Sequence, residues 1–194
     1  RQIPIEFGTR INGQVSEYEL AFYQIRTGSA LLPSLNGTGS DTFVPQEDFT
    51  VARVRRQILE QSSIGVIYTG RAASKDRTGF TPDALHTAGV DLQLSTRSFL
   101  GENNAELNAF LVWNSDPAPN LGRSFSDLSA RGVRLNFPND IWSGHVSYRE
   151  FGEYYDPAVG FMTRNDFRRV EPRINWSPRP ESIPWIRQLA FGVQ

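Results

Sequence analysis

Glu150, Glu153, Asp156 and Glu171 lie close together in YREFGEYYDPAVGFMTRNDFRRVEPRINWSP. Two neighbouring acids, one protonated and one ionised, are what glycosidic hydrolysis requires. Their surroundings argue for another use. Glu150 and Glu153 bracket Gly152, and Asp156-Pro157 is turn chemistry. Glu171 stands between Arg169 and Arg173, where pairing keeps it ionised. The stretch reads as a hairpin: a strand, an aromatic-rimmed turn at YYDPAVGF, and a return strand with Arg169, Glu171 and Arg173 on one face. His86 and His145 have no metal-ligand spacing such as HxxxH or HExxH. No GxSxG elbow and no phosphate-binding glycine loop occurs. The absence of cysteine excludes disulfides, thiolate metal sites and a cysteine nucleophile. No catalytic set and no cofactor is expected.

The elements that carry these residues have a period of two. Ala88, Val90, Leu92 and Leu94 alternate with Gly89, Asp91, Gln93 and Ser95. After GENN the alternation resumes with Ala105, Leu107, Ala109, Leu111 and Trp113 against Glu106 and Asn108, which makes a hairpin. Val133, Leu135 and Phe137, a PND turn, then Trp142, Val146 and Tyr148 repeat the unit. Further strands are expected from Ile3 to Asn12, at 18–27, 49–60 and 63–71, through Val170, Ile174 and Trp176, and at Leu189, Phe191 and Val193. About ten strands of about ten residues, with no convincing helix and no second domain, fill residues 1–194.

Composition bounds the class. The chain has 194 residues, 39% of them hydrophobic, and a net charge of −1, so general attraction to nucleic acid is not indicated. Lys75 is the single lysine, so the cations are nearly all arginine. No apolar run reaches the length of a transmembrane helix, a test that barrel strands escape because they alternate. Two architectures fit: a soluble β-sandwich whose tryptophans bind glycans, or an antiparallel up-and-down transmembrane β-barrel. Long strands favour the barrel. So do aromatics near strand ends, at Trp113, Trp142, Tyr154, Tyr155, Trp176 and Trp185.

The segments FTVARVRRQILEQSSIGVIYTGR, YYDPAVGFMTRNDFRR and NWSPRP, with IPIEFGTRINGQVSEYELAFYQIRTG at the start, resemble an uncharacterised family of bacterial outer-membrane barrel domains. Members often carry an amino-terminal module similar to family-9 carbohydrate-binding domains. The resemblance implies a non-enzymatic barrel in the bacterial outer membrane, acting as a pore or as an anchor and scaffold in an envelope assembly. Its partners would be the lipid bilayer and, beyond it, other envelope subunits or surface glycans. A glycan-active barrel enzyme is the remaining alternative. The module is missing here and FGVQ ends within a strand, so a section of a larger barrel is expected, with a processed or truncated start at Arg1.

On this reading Arg10, Arg53, Arg55, Asp91, Glu106, Arg134, Arg149, Arg169, Glu171 and Arg173 line a hydrated lumen. The Arg10, Arg53, Arg55 and Arg134 set would either attract anions or pair with Glu6, Asp91 and Glu106, and pairing is favoured. Leu92, Leu107, Leu111, Val133, Leu135, Val146 and Ile174 face outward. Arg56 shares parity with the apolar Val54 and Ile58, so it belongs near an interface, or its strand packs against protein instead. The long loops at 31–48, 75–85 and 116–127 are expected on one rim, opposite the short turns.

Overall fold

The computed structural model describes residues 3–32, 42–75, 78–117, 119–180 and 185–194. The alternating segments form twelve strands among them: β1 (Ile5–Val15), β2 (Tyr18–Thr27), β3 (Ala30–Leu32), β4 (Thr42–Val44), β5 (Glu47–Leu59), β6 (Ser62–Ala73), β7 (Leu85–Phe99), β8 (Asn103–Asn114), β9 (Ser129–Pro138), β10 (Trp142–Phe151), β11 (Phe167–Trp176) and β12 (Phe191–Val193). Ten pair in one antiparallel sheet, in the order β1-β2-β5-β6-β7-β8-β9-β10-β11-β12, while β3 and β4 form a separate small hairpin. That hairpin lies inside the segment expected to be a plain loop at 31–48, of which residues 33–41 are outside the described residues.

Within the ten-stranded sheet each strand pairs with the next of its members in chain order, so connections alternate between the two ends of the strands. One end carries the tight turns. Ser16 takes a left-handed φ of 54° in the two-residue β1–β2 link, and Leu100 (48°) and Gly101 (108°) do so between β7 and β8. Asn139 ties two of these turns together: its side chain accepts from the Asn104 N–H at 2.7 Å and donates to the Asn104 carbonyl at 2.9 Å. The segments at 28–46, 74–84, 115–128 and 152–166 all connect strands at the opposite end, so the expected long loops share one rim.

No closed barrel forms among the described residues. β1 pairs with β2 alone, and β12 pairs with β11 alone, over three residues. Closure requires the last strand to run beside the first, and β1 and β12 are instead the two free edges of the sheet. The product is an open, all-β antiparallel sheet.

Register assigns the faces. Following paired residues across the sheet puts Arg10, Arg53, Arg55, Asp91, Glu106, Arg134, Arg149, Arg169, Glu171 and Arg173 on one face. The other face holds Leu92, Leu107, Leu111, Val133, Leu135, Val146 and Ile174. That apolar face is open: Val133, Leu135, Val146 and Ile174 are all exposed, and Ala105, Leu128, Ala130, Tyr155 and Ala158 are the buried hydrophobics among the described residues. The chain has 13499 Å² of accessible surface. A protein of 21.9 kDa folded around its own core would show about 9,300 Å². One sheet with no second layer accounts for the excess.

The uncharged part of the apolar face forms an inclined band. Its border on the long-loop side is drawn by Arg26 paired with Asp48 on β2 and β5, and by Arg131, Glu150 and Arg168 on β9, β10 and β11. The hydrogen-bonded row through Arg131 runs by Leu111, Val90 and Val66 to Val54, six residues from Asp48 on β5. The turn-side border moves likewise. Arg56, paired with Glu17 at 3.4 Å, marks it on β5. The row through Arg56 reaches Tyr148, six residues from Trp142, which marks the border on β10. Six residues are about 20 Å along a strand, and five strand steps about 24 Å across, so the band slopes by about 40°. Asp48 to Arg56 and Glu150 to Trp142 each span eight residues, so its width is constant at about 21 Å measured across the slope.

Candidate functional site

The polar face is lined with ion pairs. Arg53 on β5 holds both oxygens of Asp91 on β7, at 2.8 and 3.0 Å. It reaches across β6 because Gly65 lies between them: a Cβ there would come within 2.5 Å of the Asp91 carboxylate. Arg55 donates to Ser63 (2.9 Å) and Gln93 (3.1 Å) and lies 3.7 Å from Glu19. Glu171 is shared by Arg149, across the strand pair, and Arg169, at 2.6 Å on its own strand. Arg173 misses it and makes only a long contact with Asn175 at 3.4 Å. Glu106 accepts from Asn136 at 3.2 Å, and Glu6 accepts from Gln46 at 2.6 Å, so neither meets the arginines expected for it. Arg10 lies over the Tyr23 ring and, with the Asn12 amide turned to satisfy it, donates to Asn12 at 2.6 and 2.8 Å.

Arg134 is different. It is exposed and has no ion pair or hydrogen bond among the described residues. It opens onto a cleft of about 350 Å³ edged by Asp91, Gln93, Asn108, Ser147 and Arg149. The floor is the Phe110 ring seated over Gly132, where an added Cβ would stand 2.6 Å from the ring.

Near the long-loop rim, residues 152–166 fold back over this same face. The expected compact turn at YYDPAVGF is instead a loop that reaches β7 and β8. The Ala158 N–H donates to Thr87 Oγ1 at 2.8 Å, and the Asp156 N–H donates to Asn114 Oδ1 at 3.1 Å. Thr87 and Asn114 are cross-strand partners on the polar face, and both are buried beneath the loop. Tyr155 is 7% exposed, edge-on to Phe151, and burial pushes its phenol above the usual tyrosine range. Asn165 fastens the loop to itself, donating to the carbonyls of Tyr155 (2.8 Å) and Glu153 (3.3 Å). The neighbouring loop at 115–128 packs alongside: Arg123 pairs with Asp116 at 3.0 Å and lies 4.0 Å over the Tyr154 ring. Ser124 and Asp127 exchange hydrogen bonds (2.9 and 3.3 Å), and the Ser124 N–H holds the Asp127 carboxyl below the usual aspartate range.

Of the acids that suggested hydrolysis, Glu153 and Asp156 edge one cleft near the long-loop rim, while Glu150 and Glu171 are kept apart. Glu171 is on the polar face, whereas Glu150 is on the apolar face with Arg131 at 2.9 Å and Arg168 at 3.1 Å. Side chains on opposite faces of one sheet cannot flank one bond. Of the aromatics expected at strand ends, Trp142 and Trp176 stack at 5.8 Å, and Trp176 stacks on Phe191 at 5.4 Å, along the turn-side border. Tyr154 and Tyr155 sit in the in-folded loop instead. His86 meets Tyr68 Oη at 2.8 Å on the apolar face, and His145 lies on the polar face opposite Arg173.

Thr87, Asn114 and Ala158 seat the loop, and no spacing rule marks them, because they meet only through the tertiary fold. A search of protein-family models, of curated proteins and of solved structures finds no match to the chain.

Proposed function

We propose that this chain is part of the wall of a non-enzymatic bacterial outer-membrane β-barrel whose polar face lines a water-filled pore. The inclined uncharged band carries the reading. Barrel strands cross a bilayer tilted by about 35–45°, so a lipid-facing band must step across hydrogen-bonded rows at that slope, and a band about 25 Å tall is the usual height. Charged pairs on one border and the Trp142–Trp176–Phe191 stack on the other are where headgroups would want them. The sheet edges at β1 and β12 would be completed by further strands or by another subunit, since unpaired backbone groups in hydrocarbon cost several kcal/mol each. The loop at 152–166 would narrow the pore, and the long-loop rim would meet surface glycans or other envelope subunits.

The test is spin-label accessibility in lipid vesicles. Labels at Leu107, Val133, Leu135 and Val146 should favour oxygen, which concentrates in lipid. Labels at Asn108, Asn136 and Ser147 should favour a water-soluble relaxant. A chain that stays monodisperse without detergent or lipid, with all these sites equally wet, would sink the reading.

A further inference from the structure

We infer that the Arg134 cleft is a binding subsite for a small organic anion, with a carboxylate head and a flat apolar body. This rests on the polar face being water-filled, as proposed above. Charge bookkeeping around the cleft leaves a surplus of cations. Asp91 is neutralised by Arg53 through both oxygens. Glu171 is one carboxylate for two guanidiniums, Arg149 and Arg169. Glu106 is turned to Asn136. Arg134 therefore faces the cleft with its donor fork unused, and Arg149 stands on the same edge only half neutralised. A guanidinium presents two parallel N–H groups to a carboxylate, a geometry that water matches poorly.

The cleft also selects a shape. Gly132 lets the Phe110 ring lie down on the wall, giving an apolar floor about one ring wide beneath the two arginines. The Asn108 side chain flanks the floor and offers a neutral hydrogen-bonding group to the edge of a ligand, while the buried Ser147 hydroxyl donates to Glu171. A neutral molecule of the same shape would keep the floor and lose the fork. A cation would meet uncompensated positive charge.

The experiment follows para-fluorobenzoate by fluorine NMR against the full chain in detergent micelles and in vesicles, with para-fluorobenzyl alcohol as the neutral control. The anion's line should broaden and shift saturably. Its affinity should exceed that of the alcohol by about tenfold or more, and should fall by a similar factor in Arg134→Gln and at high salt. Phe110→Ala should weaken the anion and the alcohol alike, whereas Arg134→Gln should touch only the anion. Equal affinity of wild type and Arg134→Gln, or equal affinity for anion and alcohol, overturns the inference. The spin-label pattern in the same vesicles reports separately on the pore reading: lipid contact at Val133 without binding at Arg134 rejects the subsite alone. Binding in micelles without lipid contact rejects the pore alone.

Discussion

The two faces of the sheet solve the same problem in opposite ways. On the polar face charged side chains find partners on the sheet itself, across one strand where Arg53 on β5 reaches Asp91 on β7 over Gly65 and between adjacent strands where Arg149 meets Glu171. On the apolar face side chains of adjacent strands lie beside one another, with no second layer to receive them, and Val133, Leu135 and Ile174 remain exposed. The polar face supplies most of its own partners, whereas the apolar face meets no second layer among the described residues. A hydrophobic face of this extent finds its free energy only when water leaves it.

The comparison breaks most visibly with a charge in the middle of the band. Leu135→Arg should destabilise the chain folded in lipid by about 2–4 kcal/mol, while Asn136→Arg, one residue away and facing Glu106, should cost under about 1 kcal/mol. Urea titration in vesicles with tryptophan fluorescence measures both. Equal costs would erase the distinction between the faces.

Next in size is the floor of the cleft. Gly132→Ala places a methyl 2.6 Å from the Phe110 ring and 3.0 Å from the Tyr148 carbonyl, and overpacking of this kind costs about 1–3 kcal/mol. Adding Phe110→Ala relieves only the ring contact, so partial recovery is expected in the double variant. Full additivity of the two losses would show that the ring does not lie over the glycine.

The in-folded loop gives a smaller, local effect. Thr87→Val removes the acceptor for the Ala158 N–H, and leaving that buried donor unpaired costs about 1–3 kcal/mol of loop seating. Limited proteolysis should then cut within 152–166 faster, with the strands still protected. Unchanged cleavage would mean that the loop is held elsewhere.

The smallest effect is that of pH on the neighbouring loop. Asp127 has its carboxyl held below the unfolded value by the Ser124 N–H, so its contribution is present above about pH 4 and fades as pH falls through the lower folded value. Asp127→Asn should flatten that acid limb in the protease resistance of 115–128. An unaltered limb would assign the acid sensitivity to other groups.

How much of this was legible before folding follows from period and distance. A strand puts alternate residues on opposite faces whatever its neighbours are, so the ten charged residues assigned to one lining and the seven apolar residues assigned to the other side needed only parity, and both sets stayed together. The turns were equally local, and strand order followed from their alternation with long loops. Which partner each arginine takes was not legible. Glu171 lies two residues from both Arg169 and Arg173, yet its second partner is Arg149, brought alongside by the β10–β11 register. The slope of the band needed the same information, because it compares positions on strands that sequence leaves unaligned. The seat of the loop, Thr87 to Ala158, joins residues 71 apart. The sequence by itself determined the two faces, since side-chain parity is a property of one extended strand. The open edges, the slope of the uncharged band, the lack of a partner for Arg134 among the described residues and the loop across the wall came from the assembled sheet, since each depends on how separate strands are aligned against one another.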